Sequence, residues 1–269
     1  MVRRHELTDE SWAVIGPLLA PPQMGRPVRD RRQVVNGILW KLSTGAAWRD
    51  LPERYGPWKT VYERFRRWSA DGTWDRLLAH VQQHSDAVGG VDWSVVCVDS
   101  TTVRAHQHAA GPEKGALGRG DRPVRGGLTT KIHLPRRAGQ ALAFTLTAGN
   151  VNDCTHRSWP HPHRAVRARP PPTRPKLVAQ GLLTKKIRAY LRGRGIKAAI
   201  PERIDQINGR IRRGESRCRL NRAAYRRRNV VERCFNRLKH NKALATRYDK
   251  RARHYQALVT LACLRLWLP

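Results

Sequence analysis

Trp93-Ser94-Val95-Val96-Cys97-Val98-Asp99-Ser100-Thr101-Thr102 is where the chain changes character. Val95, Val96 and Val98 are β-branched and suit a pleated, half-buried surface, so the run predicts a strand ending on Asp99. Downstream, Leu128–Leu134 and Ala141–Thr147 flank Pro135–Gln140 and predict a hairpin. The Gly-rich stretch His108–Gly127 reads as a long loop. Thr184–Arg194 predicts a short helix with Ile187 and Leu191 inside and Gly195 at its end, and Lys197–Ile200 predicts a strand closed by Pro201. Three strands, then strand–helix–strand, then a long C-terminal helix give an α/β fold with a sheet of mixed pairing.

Upstream of this boundary, residues 1–90 hold six of the nine Trp and carry helical periodicity. Thr8 is a natural N-cap, with Asp9 and Glu10 in the first turn, where the helix dipole favours negative charge. Trp12, Ile15 and Leu19 then form one apolar stripe, and Pro21-Pro22 is expected to end the helix. Asp30 can cap a second helix with Val34, Ile38 and Leu42 inside and Gly45 as its stop. After Tyr55-Gly56-Pro57 comes a third, with Val61, Phe65 and Trp68 inward and Lys59, Tyr62, Arg66 and Arg67 outward. Two helices joined by a Gly-Pro turn, the second basic on its outer face, suit a helix-turn-helix whose second helix enters the major groove. Lys59, Arg66 and Arg67 are then the candidate DNA contacts, and a plain bundle with a solvated basic face is the competing reading.

Charge narrows the function. The 269 residues carry 53 Lys+Arg against 20 Asp+Glu, a net charge of +33. Such a surface repels itself unless a polyanion neutralises it, which makes nucleic acid the expected partner. The N-terminal segment has no apolar core and predicts no secretory signal, while Leu258–Leu268 is shorter than a membrane span and includes Arg265. The five cysteines are scattered without a Cys-x-x-Cys, which argues against a zinc module or a disulfide framework. The expectation is a cytoplasmic protein with no membrane partner, associated with the nucleoid.

Two carboxylates stand out. In Tyr225-Arg226-Arg227-Arg228-Asn229-Val230-Val231-Glu232-Arg233-Cys234-Phe235-Asn236-Arg237-Leu238-Lys239, a continuous helix would place Tyr225, Arg228, Glu232 and Lys239 on one face. Val231, Cys234, Phe235 and Leu238 form the apolar arc beside them. Glu232 in that basic face suits a metal ligand beside phosphates; equally, it suits i,i+4 pairing with Arg228 and Asn236. Asp99 is either a turn residue or, with Glu232, half of a carboxylate set for two-metal phosphoryl transfer.

Taken together, Val98–His106, Gly126–Leu134, Leu146–Asp153 and the 225–239 segment resemble bacterial insertion-sequence transposases of the DDE type. The last segment matches their Tyr-x2-Arg-x3-Glu-x6-Lys signature, and Trp48–Pro52 and Gly56–Trp58 extend the resemblance toward the N-terminus. The resemblance implies an RNase H-like catalytic domain over 91–269, with residues 1–90 as a helical DNA-binding domain. It implies Mg²⁺-dependent DNA cleavage and strand transfer, with Asp99 and Glu232 as catalytic metal ligands and Tyr225, Arg228 and Lys239 as DNA contacts. The implied partners are double-stranded DNA, as terminal inverted repeats and target, and further copies of the chain assembled on it.

The second Asp of the family triad is missing. Where an Ala-Asp-Lys-Gly-Tyr-like strand end is expected, the chain has Val178-Ala179-Gln180-Gly181-Leu182, and gapless counting puts Ala179 at the Asp position. No acid occurs between Asp153 and Glu202, a stretch of 48 residues with 12 Lys+Arg. His156–Pro175 has neither helical nor strand period, and its His156, His161 and His163 read as solvated. Residues 155–183 therefore read as translated out of frame, and a divergent loop with Asp153 as substitute ligand is the alternative. The expectation is a catalytically impaired transposase, the alternative a non-catalytic DNA-binding remnant that still binds element ends.

Overall fold

Thr8 opens the first helix, α1 (Asp9–Ile15), by accepting the Ser11 N–H at 3.0 Å on its hydroxyl. The computed structural model describes residues 3–19, 30–90, 95–109, 122–124, 127–137, 140–151, 176–179, 185–193, 195–202, 204–215, 220–226 and 229–269. Helix α1 stops at Ile15, before the expected Pro21-Pro22, and a 3-10 turn follows over Gly16–Leu18. Pro17 is the cause: it has no N–H to carry the α ladder onward. Ile15 and Leu19 are nonetheless both buried. Helix α2 (Arg31–Thr44) is capped by Asp30, which accepts the Arg32 N–H at 2.8 Å, and it ends on Gly45 at φ 70. That left-handed geometry suits glycine.

Helix α3 (Trp58–Ala70) buries Val61, Phe65 and Trp68 and exposes Lys59, Arg66 and Arg67, as the spacing predicts. Tyr62 does not point outward. It is half-buried, its ring centroid 5.4 Å from that of Trp48 and 6.2 Å from that of His254. The Gly-Pro turn is not the junction of a helix-turn-helix pair either. Residues 45–57 separate α2 from α3 and hold two 3-10 turns, Trp48–Asp50 and Glu53–Tyr55. A helix-turn-helix joins its helices in about 3–4 residues. The tight connection lies one helix later, where Asp71 and Gly72 (φ 73) lead into α4 (Thr73–Ala87).

Strand β1 (Val95–Ala105) runs past Asp99 through Ser100, Thr101 and Thr102, so Asp99 lies within the strand and not at its end. Its polar half is held by an antiparallel ladder to β3 (Gly127–Arg137), from Cys97↔Arg136 to Arg104↔Thr129. Ladder hydrogen bonds satisfy the backbone whatever the side chains are. Strand β2 (Arg122–Val124), within the stretch read as loop, also pairs with β3. So do β4 (Gln140–Ala141) and β5 (Thr145–Ala148), and β3 itself extends through Pro135 beyond the expected hairpin strand.

On its other edge β1 pairs in parallel with β6 (Lys176–Ala179) over Val95–Val98. Helix α5 (Lys185–Gly193) precedes β7 (Lys197–Ala199), which is parallel to β6. Among the described residues the sheet is mixed, in the order β2-β3-β1-β6-β7.

The C-terminal part comprises α6 (Ile204–Arg212), α7 (Arg222–Arg226), α8 (Asn229–Lys239), α9 (Lys242–Ala245), β8 (Thr246–Arg247) and α10 (Ala252–Arg265). Strand β8 returns to β1 in parallel, Arg104↔Thr246 and Ala105↔Arg247. Helix α10 is buried along nearly its whole length and packs on α2, α3, α4 and α8. Polar ties reinforce it: the Thr260 hydroxyl donates to Asp75 Oδ1 at 3.1 Å, and Trp267 Nε1–H to the Ala141 carbonyl at 2.7 Å. Gln82 Nε2 donates to the Ala141 and Leu142 carbonyls at 3.0 Å each. The helical region and the sheet thus share one continuous core. No described helix is long and apolar enough to cross a membrane.

Candidate catalytic centre and nucleic-acid interface

Asp99 is half-buried on β1, opposite the fully buried Leu134, and its Oδ1 accepts the Ser100 N–H at 2.9 Å. The register Val98↔Ala179 sets the buried Ala179 level with Val98. Val98 and Asp99 are consecutive in a strand, so their side chains leave opposite faces of the sheet. Ala179 therefore belongs to the row of Val98, one residue short of Asp99. The residue after it is Gln180, outside the described residues. Neither is a carboxylate.

Glu232 sits in the first turn of α8 and is exposed. Lys239, seven residues on, falls within about 20° of it and about 10 Å along the axis. Cys234, Phe235 and Leu238 are buried, and α8 packs against β1 and α10. Asp99 and Glu232 therefore stand on elements in direct contact. Tyr225 is half-buried on α7, a separate described helix, and Arg228 lies outside the described residues. The single helical face expected to align Tyr225 and Arg228 with Glu232 runs through residues 227–228, which lie outside the described residues. Asp153, His156, His161 and His163 are also outside the described residues, and of the 155–183 segment only Lys176–Ala179 is described. Among the described residues no three His, Cys, Asp or Glu gather as a metal site.

The exposed face of α3 is cationic with one acid in it. Arg66 Nη2 lies 3.0 Å from Glu63 Oε2, and Arg66 Nε donates to the same oxygen at 3.1 Å. Lys59 Nζ sits 5.9 Å from the Trp58 ring centroid, while Arg67 is exposed.

A polar cluster that the sequence did not signal ties α2 to β8. Arg247 is buried and donates to Thr130 Oγ1 at 2.8 Å and to the Asp249 carbonyl at 3.0 Å. Lys41 is buried near it and donates to the Gly45 carbonyl at 3.3 Å. Burial lowers the Lys41 pKa, and the Asp249 carboxylate opposes that shift. Burial raises the pKa of Asp249, against the pull of Lys41 and Arg247. Periodicity could not reveal this set, because Lys41, Thr130 and the Arg247–Asp249 turn are far apart in sequence and each has the composition of a surface residue.

Comparison with known proteins agrees with the resemblance. The profile of the transposase DDE domain family matches residues 92–267, and that of the IS4/5 transposase family matches residues 7–78. The chain is 36% identical over 115 residues to "Uncharacterized protein y4sN" of Sinorhizobium fredii, covering 42% of this chain and 87% of that protein. It is 39% identical over 107 residues to "Insertion element IS402 uncharacterized 16.2 kDa protein" of Burkholderia cepacia, covering 37% of this chain and 73% of that one. Among solved structures, a pre-cleavage Mos1 transpososome aligns with 93% of this chain and 80% of its own at 11% identity and a TM-score of 0.29. A Mos1 paired-end complex with the left transposon end covers 86% and 83% at 10% identity and the same TM-score of 0.29. One family profile spans about two thirds of the chain and a second matches its N-terminal part: the chain belongs to the transposase DDE domain family, of the IS4/5 type.

Proposed function

We propose that this chain is a DNA-binding transposase whose cleavage and strand-transfer activity is lost or greatly reduced. The observation that carries the proposal is the strand beside Asp99, which ends in Ala179 and is followed in sequence by Gln180. Membership of the DDE family and the +33 charge support DNA, as element ends and target, as the partner. Three antiparallel strands joined through β1 to two parallel ones support an RNase H-like reading of residues 91–269. Lys59, Arg66 and Arg67 on α3 are the proposed groove or phosphate contacts, with Tyr225, Arg228 and Lys239 as further proposed DNA contacts.

A pair of Mg²⁺ ions requires several bridging carboxylates. Asp99 and Glu232 supply two, while the neighbouring strand ends in Ala179, on the face of Val98, and is followed in sequence by Gln180, so neither residue adds a carboxylate. The described donor set does not fit a two-metal centre, and no catalytic step is assigned to one. What the chain keeps is the means to hold phosphates: guanidinium and ammonium groups on α3 and α8.

The test uses the purified chain with labelled duplexes taken from the DNA flanking its own gene, in Mg²⁺ or Mn²⁺. Asp99→Asn, Ala179→Asp and Gln180→Asp variants run beside it. The expected outcome is retention of the duplex by every variant and no cleavage by the unmodified chain. Cleavage by the unmodified chain that Asp99→Asn abolishes would overturn the proposed loss of activity. Cleavage restored by Ala179→Asp or Gln180→Asp would locate the missing ligand.

A further inference from the structure

At the far end of β1 from Asp99, three rings cluster: the half-buried His106 lies between the exposed rings of Tyr248 and His108. Tyr248 follows β8 directly and keeps 45% of its surface exposed. Its ring centroid is 4.8 Å from that of His106 at an interplanar angle of 30°, and His106 meets His108 at 4.5 Å and 64°.

The backbone beneath them is fixed. The His106 N–H donates to the Arg247 carbonyl at 2.8 Å, the Ala109 N–H to the His106 carbonyl at 2.8 Å, and the His108 N–H to His106 Nδ1 at 3.2 Å. The buried Arg247 holds the other segment in place through Thr130. Rings ordered in advance lose little freedom when something stacks on them.

Exposed cations edge the stack: Arg104 precedes His106 on β1, and Lys250 and Arg251 follow Tyr248. Asp249, the acid of this turn, is half-buried, and its carboxylate feels the charges of Lys41 and Arg247. The exposed ring of Tyr248, backed by His106 and followed in the chain by exposed cations, fits a planar heterocycle on an anionic backbone. An apolar partner helix would gain little from imidazoles, and an acidic peptide would need no flat ring.

We propose that His106, His108 and Tyr248 form a stacking platform for one unpaired nucleobase of bound DNA. Seven residues of extended chain separate His106 from Asp99, roughly 23 Å at 3.3 Å per residue. The platform therefore lies outside the carboxylate centre. This inference rests on the DNA-binding reading above and adds to it a preference for unstacked bases.

The experiment compares a matched duplex with the same duplex carrying one bulged 2-aminopurine, using the full chain. Affinity is read by anisotropy and stacking by 2-aminopurine quenching. A base stacked on an aromatic side chain should favour the bulged duplex by roughly 5- to 100-fold, with the fluorescence quenched. Tyr248→Ala and His106→Ala should each abolish that preference while matched-duplex affinity stays within about twofold, because phosphate contacts are sequence- and stacking-independent. Tyr248→Phe should retain the preference, since it keeps the stacking face and tests that folding is intact. Equal binding of both duplexes by the native chain, or an unchanged preference in Tyr248→Ala, overturns the platform alone. Binding of neither duplex overturns the DNA-binding reading and the platform with it.

Discussion

Lys41 shows what one buried charge does to this protein. Its ammonium is taken out of water near the end of α2 and has the Gly45 carbonyl at 3.3 Å and the Trp48 ring centroid at 5.9 Å. Desolvation lowers its pKa below the ordinary 10.5. The folded chain therefore binds this proton less tightly than the unfolded chain does, and folding releases it. The Lys41 contribution to stability rises with pH from the lowered folded pKa to 10.5 and is level above that. Lys41→Met should remove the rise. Urea unfolding of both proteins at stepped alkaline pH should show the native chain gaining on the variant through that window. Parallel curves would show that Lys41 is not desolvated. Gly149 is a constraint of another kind: a Cβ there would run into the Thr129 side chain, so only glycine lets the turn after β5 approach β3.

At the scale of elements, α3 combines a buried and a basic face in thirteen residues, and both were legible in the sequence. Apolar residues at helical spacing decide which way a helix faces, and Val61, Phe65 and Trp68 leave Lys59, Arg66 and Arg67 outside. The caps Thr8, Asp30 and Gly45 were legible for a similar reason, because their chemistry is local. Strand β1 was not legible past Asp99. Ser100, Thr101 and Thr102 resemble a turn, and only pairing with a distant segment makes them a strand. Tyr62 was misread because its partners, Trp48 and His254, come from other elements. The carboxylates Asp99 and Glu232 were singled out by family likeness more than by spacing, which left each of them open to an ordinary structural role. One consequence of α3 can be measured. Glu63 holds Arg66 in an i,i+3 pair, so Glu63→Gln should free a cation for phosphate. The variant should bind duplex DNA more tightly, and the slope of log K against log salt should steepen by about 1. Arg66→Ala should show the reverse. Unchanged slopes in both variants would remove α3 from the interface.

At the scale of the whole molecule, the C-terminal helix decides how many parts the protein has. Leu258 is fully buried on α10, a helix that contacts α2, α3, α4 and α8. Leu258→Ala should cost about 2–5 kcal/mol, the usual range for such a truncation in a packed interior. The shared core makes a second expectation: helical and sheet signals should fall together in one transition in both proteins. Separate transitions, with only the helical signal shifted, would show two independently folding parts.

The Ala141 carbonyl accepts from Gln82 on α4 and from Trp267 just beyond α10, so one peptide group of the sheet serves elements 185 residues apart in the chain. This geometry also sets an order of events in biosynthesis. Helices α1 to α4 leave the ribosome early, yet the surface they bury is provided by a helix made after every strand of the sheet. Until α10 emerges, Phe65, Trp74 and Leu77 have no complete cover, and the nascent chain is exposed to chaperones and proteases throughout. Synthesis interrupted before α10 should therefore leave α2, α3 and α4 without the helix that covers them, and such fragments should be degraded faster than chains that include it.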